Sequence, residues 1–93
     1  MPNTDKPSLI AHLDTLHAAL KREPETQLVN QALHQCERLH LAINQYHAEG
    51  LRFAAFTLYR LVQQPGTNLQ ESTVEAARKL REGLDAAGFS TQH

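Results

Sequence analysis

The chain reads as an all-α protein, a helical bundle in which a long central helix is flanked by two shorter antiparallel helices and completed as a four-helix bundle by dimerisation. Three observations predict this. Ala and Leu are abundant, Trp is absent, and Gly and Pro number four each, a composition that favours helix. No stretch alternates in the manner of a half-buried strand. The forty residues from Glu25 to Gln64 contain no proline and one glycine, Gly50, and Pro24 and Pro65 bracket them; their apolar spacing keeps helical phase across that glycine.

The elements follow in order. Residues 1–7 form a polar lead-in, expected to be disordered, that ends where Ser8 offers a side-chain oxygen to cap a first helix over about 9–22. Leu9, Leu13, Leu16 and Leu20 recur at helical spacing on one stripe of it, with Asp14, Lys21 and Arg22 off the stripe, so it has one face to bury. Pro24 suits the first turn of the next helix, where its missing N–H costs nothing, and a tight reversal precedes it. Glu25 in that first turn favours the helix dipole.

On a 100° wheel Val29, Ala32, Leu33, Cys36, Leu39, Ile43, Tyr46, Gly50, Phe53, Ala54, Thr57, Leu58 and Leu61 gather within one arc, while Ala55, Phe56 and Tyr59 fall on other faces. A single helix over about 24–64 accounts for this, with Gly50 as an interior residue where another helix comes close. The alternative is a break at 49–50, with Gly50 in a left-handed capping position. The residues after Gly50 are Leu-Arg-Phe-Ala, with no Ser, Thr, Asp or Asn to start a new helix, which favours continuity. Pro65-Gly66-Thr67-Asn68 then makes a strong turn signal. Asn68 with Glu71, and Ser72 with Glu75, each match a capping box for a last helix over about 72–87. Thr73, Ala77, Leu80 and Leu84 form its buried stripe, Val74 flanks it, and Gly88 closes it. Residues 90–93 are expected to be disordered, and 1–93 make one helical domain.

A rod of about 60 Å at ~1.5 Å per residue is too long for two short helices to enclose, because every cross-section would then hold two helices. A second copy related by two-fold symmetry closes the bundle, which predicts a homodimer. A chain broken at Gly50 would instead close a monomeric four-helix up-down bundle.

Charge narrows the function classes. Net charge is −1 with both signs scattered, which argues against a protein that grips nucleic acid by its phosphates. No apolar run approaches the length of a bilayer span, and the first residues, MPNTDKPS, hold no apolar signal core. A cytoplasmic protein without membrane contact is expected.

Six histidines form the compositional anomaly, and Cys36 is the single cysteine. His40 and His47 lie about 20° apart on the wheel, with Cys36 one turn before His40. Cys and His four apart can share a Zn²⁺ or Cu ion. His40 and His47 of one helix, about 10.5 Å apart along its axis, could meet on one ion only across a dimer. As neutral interfacial residues they need no metal, and as a third use they could make the interface pH-sensitive. No cofactor is expected. His12 and His17 flank the first stripe as boundary residues, and His34 lies on the polar side. The chain offers no glycine-rich phosphate loop and no carboxylate pair on the apolar arc, so no enzymatic activity is expected.

The stretch Ala55-Phe56-Thr57-Leu58-Tyr59-Arg60 loosely resembles the Ala-His-x-Leu-Lys-Gly signature of histidine phosphotransfer domains, which are also small helical bundles. Phe56 stands where the phosphorylated histidine would be, and Tyr59 and Arg60 replace the Lys and Gly, so the resemblance implies at most an inactive relative. The ending, Ala76-Ala77-Arg78-Lys79-Leu80 through Thr91, resembles the first helix and turn of a helix-turn-helix, but the chain ends where a recognition helix would begin. Glu75, Glu82 and Asp85 offset its basic residues.

The remaining reading is a small non-catalytic interaction module, a regulator or adaptor that pairs with itself and with another protein. Ile43, Gly50, Phe53, Phe56, Tyr59 and Val62 are its candidate interface. A metal- or pH-sensing dimer built on Cys36, His40 and His47, and a small enzyme with an intersubunit site, are the alternatives.

Overall fold

The computed structural model describes residues 6–45, 47–64, 66 and 68–88. Among these residues the chain forms four helices and no strand: α1 (Lys6–Lys21), α2 (Gln27–Gln45), α3 (Ala48–Val62) and α4 (Glu71–Ala86). The leucine stripe of α1 is buried along its length, as its spacing requires. The helix starts before Ser8, with Pro7 in its first turn, where a proline is tolerated. Ser8 is therefore helical rather than a cap.

Pro24 lies in the connection between α1 and α2, not in the first turn of α2. Thr26 starts α2 instead: its hydroxyl accepts the N–H of Val29 at 3.1 Å and its carbonyl accepts that of Asn30 at 2.9 Å, which satisfies two donors that a helix start leaves open. Glu25 correspondingly falls outside the helix.

The expected continuous helix over 24–64 does not form. α2 ends at Gln45 and α3 begins at Ala48, so the break precedes Gly50 and leaves that residue helical, in the first turn of α3. Neither the single rod nor a cap at Gly50 describes the joint. The physical reason is His47, which is extended (φ −89°, ψ 93°) and caps α3 with its own ring, Nδ1 accepting the Gly50 N–H at 2.9 Å. Its backbone N–H reaches back to the Ala42 carbonyl at 3.0 Å and closes α2. Breaking the helix resets the register. Ala55 and Tyr59, off the stripe of a continuous wheel, are 0% and 5% exposed, whereas Phe53, on that stripe, is 63% exposed.

Each successive helix runs back along the one before it. The start of α2 meets the residues just after α3, and the end of α1 meets the start of α4. α1 packs against α2 and α4, α2 packs against α3, and α3 and α4 touch only lightly. A cross-section thus holds four helices from one chain, so the two-helix layer that called for a second copy is absent. The core joins the leucine stripe of α1 to Ala32, Cys36, Leu39 and Ile43 of α2, Leu51, Ala55 and Leu58 of α3, and Leu80 and Leu84 of α4.

α4 starts without either predicted box. Gln70 occupies the cap position with no side-chain hydrogen bond of its own. Glu23 replaces it from the α1–α2 connection: one carboxylate oxygen, Oε2, accepts the Gln70 N–H at 2.9 Å and the Thr73 hydroxyl at 2.5 Å. Glu23 is 8% exposed, and its negative charge sits at the positive end of the α4 dipole. The glycine predictions hold at both turns, Gly66 (φ 82°) after α3 and Gly88 (φ 95°) after α4, conformations that other residues adopt with strain. The predicted buried stripe of α4 holds as well, with Thr73, Ala77, Leu80 and Leu84 all buried. The expected disorder of 1–7 is overturned at Lys6 and Pro7, which are helical; its remainder, 1–5, the expected disorder of 90–93 and the place of Tyr46 on the stripe lie outside the described residues.

Candidate functional site

The bundle sets His47 apart at the α2–α3 joint and keeps Cys36 and His40, one turn apart on α2, beside a shared groove. Cys36 faces the core from the middle of α2, and burial, reinforced by the charge of Glu37, pushes its thiol from the ordinary 9.0 up to about 12. A metal ligand must be a thiolate, which this environment opposes. His40 is half-buried, its Nδ1 3.0 Å from the Asn44 side-chain nitrogen. His47 is exposed and its Nδ1 is committed to Gly50. Among the described residues no group of three or more His, Cys, Asp or Glu side chains is placed to hold a metal ion.

One encounter was not foreseen. A groove of about 250 Å³ between α1 and α2 is lined by Leu13, Asp14, His17, Cys36, Glu37 and His40, so His17 comes to the neighbourhood of His40 although it had been read as a mere boundary residue. A second cleft, about 440 Å³, lies where the α1–α2 connection meets the segment after α3. Leu28, Val29 and Leu69 form its apolar lining, and Glu23, Thr26, Gln64 and Asn68 are polar residues around it. The Glu23 oxygen that could act on a ligand as a base already holds Gln70 and Thr73.

The six candidate interface residues divide in two. Ile43, Tyr59 and Val62 belong to the core of a single chain. Gly50 is half-buried beneath the His47 ring, Phe56 is half-buried with the Arg60 guanidinium 5.6 Å over its ring, and Phe53 is on the surface. The phosphotransfer-like stretch therefore places an aromatic packing residue where its signature has a histidine.

Tyr59 spans the light α3–α4 seam. Arg81 of α4 lies 5.8 Å over its ring, a favourable cation–π arrangement. Burial, with the charge of Asp85 adding to it, holds the phenol above its ordinary ionisation range. The hydroxyl is buried and meets no hydrogen-bond partner among the described residues, as is also true of Oε1 of Gln35. On the outside of α4, Arg78 bridges Glu75 and Glu82, and its hydrogen bond lowers the Glu75 carboxyl below the usual range.

Two more apolar residues are exposed, Leu41 of α2 at 57%, which the sequence reading had not placed, and Val74, the flank of the α4 stripe. Leu41 was legible as the apolar residue off the α2 arc, on the face opposite Leu39 and Ile43. No described helix is long and apolar enough to cross a membrane.

Comparison of the chain with protein-family models, curated proteins and solved structures finds no match. Its function has to be argued from its own residues.

Proposed function

We propose that the chain is a small non-catalytic helical interaction module, a regulator or adaptor that acts as a homodimer through the outer face of the α2–α3 pair. The observation that carries this reading is the exposure of Leu41 and Phe53. They stand six residues before and six residues after His47, so the antiparallel arrangement of α2 and α3 sets them at the same height. The core closes without either one.

Charged residues of both signs, Glu37, Arg38, Glu49 and Arg52, are exposed on the same two helices. A two-fold interface brings each such residue near a copy of its neighbours, so mixed charge permits self-complementary pairing. A net charge of −1 raises no repulsive barrier to it.

Sedimentation velocity over a wide concentration range tests the proposal. A dimer is expected for the natural chain and a monomer for Leu41→Ser/Phe53→Ser, with unchanged helical circular dichroism in both. A natural chain that stays monomeric throughout overturns the homodimer. If the same double substitution then leaves capture of every partner from the native source unaltered, this face has no role in interaction either.

A further inference from the structure

We propose that His47 is a pH-sensitive helix cap that releases the first turn of α3 on mild acidification. The proposal is independent of whether the chain pairs. Three observations at the α2–α3 joint carry it.

The ring occupies the cap position itself, with Nδ1 accepting the N–H of Gly50 at 2.9 Å while the His47 carbonyl accepts that of Leu51 at 2.8 Å. Accepting requires a neutral ring with its proton on Nε2, because an imidazolium has two donors and no acceptor. The cap and the added proton therefore exclude each other. An imidazolium would also place positive charge at the positive end of α3.

Gly50 is fitted to the ring. A Cβ at that position would stand 2.6 Å from Nδ1, so the ring can lie over the first turn because residue 50 has no side chain. Gly50 is helical and shows no positive φ, so backbone strain does not explain a glycine there. Room for the cap does.

Among the described residues, the His47 ring is the side chain that accepts from the Gly50 N–H. The side chains that end α2, Asn44 and Gln45, are exposed, and Asn44 is engaged with His40. Glu49 stands two residues along in the first turn and Arg52 one turn further, both exposed; α1 begins at Lys6 and α4 carries Asp85 in its last turn at the same end of the bundle. The Glu49 carboxylate attracts a protonated ring, while the hydrogen bond that the Gly50 N–H makes here goes to His47. Histidine is the side chain whose charge changes under mild acidification, so the cap is present at neutral pH and lost as pH falls. The residue next released is Leu51, which belongs to the core.

Amide hydrogen exchange read by NMR, corrected for intrinsic rates, tests this at about pH 7.5 and about pH 5. Protection of Gly50 and Leu51 in the natural chain is expected to fall about fivefold, the ratio matching loss of a side-chain cap. His47→Asn, which caps without titrating, keeps its protection at both pH values. His47→Ala and Gly50→Ala are low at both, the second because its Cβ displaces the ring. Equal protection of the natural chain at the two pH values overturns the proposal, as does a loss in His47→Asn as large as in the natural chain.

Discussion

Glu23 shows how a single side chain can fix the relation of two helices that are far apart in sequence. Its Oε2 accepts from residues 47 and 50 positions away, and the carboxylate replaces the local cap that Gln70 does not provide. A buried carboxylate is costly unless its partners are donors, and here the donors are the backbone and hydroxyl of a helix start. Truncation to Glu23→Ala leaves both donors without that partner and is expected to cost about 2–4 kcal/mol in urea denaturation, from a charged hydrogen bond together with a lost cap. Glu23→Gln keeps an acceptor but loses the charge at the α4 dipole, so it should lose less. A double-mutant cycle with Thr73→Val separates the hydroxyl contact from the backbone one, and a coupling near zero would show that Thr73 gains nothing from Glu23.

At the scale of elements, the hairpin of α2 and α3 turns on which residues the register buries. A continuous wheel puts Phe53 inside and leaves Leu51 off the stripe, whereas the cap at His47 reverses them, with Leu51 in the core and Phe53 outside. Leu51→Ala is expected to cost about 2–5 kcal/mol, the usual range for a buried leucine. At concentrations where the chain is monomeric, Phe53→Ala should stay within about 0.5 kcal/mol, as surface substitutions do. Chemical denaturation of the two variants measures both, and the opposite ranking would restore the continuous helix. The stripes of α1 and α4 were legible because leucines at helical spacing mark the face to be buried, and Gly66 and Gly88 were legible because glycine acts through backbone preference. The α2–α3 joint was not, because its cap is a histidine ring outside the Ser, Thr, Asp and Asn class, and Gly50 drew attention to itself when its role is to make room for that ring. The start of α4 was unreadable for another reason, its cap being distant in sequence. In the candidate site, the burial of Ile43 follows from apolar spacing alone, that of Val62 depends on the register that the joint at His47 resets, and the approach of His17 to the groove beside His40 depends on how α1 and α2 pack.

At the scale of the whole molecule, a rod of forty residues is replaced by a bundle whose longest extent is 39 Å. Folding the long segment back on itself supplies the helices that a second copy would otherwise bring, so the single chain encloses Cys36 and Tyr59 at its centre. Enclosure couples stability to alkaline pH. The Cys36 thiol rises from 9.0 to about 12 on folding, chiefly by burial, and the Tyr59 phenol is raised by burial as well. Raised folded values mean that the unfolded chain releases these protons first. The stability tied to Cys36 is therefore complete below about pH 9 and declines as pH rises toward about 12, by at most ~1.4 kcal/mol per pH unit for each group. Tyr59 adds to the decline from its own higher range. Urea midpoints measured from neutral pH to above pH 9 should fall, and Cys36→Ala should flatten the first part of that fall while lowering stability at every pH through the volume it removes. Tyr59→Phe deletes a buried hydroxyl that has no partner among the described residues. It is expected to be neutral or stabilising by about 1 kcal/mol at pH 7, because it removes a desolvated polar group while keeping the ring under Arg81. An alkaline decline identical in the natural chain and in Cys36→Ala/Tyr59→Phe would mean that neither group is enclosed in solution, and that the bundle is open where α3 and α4 meet.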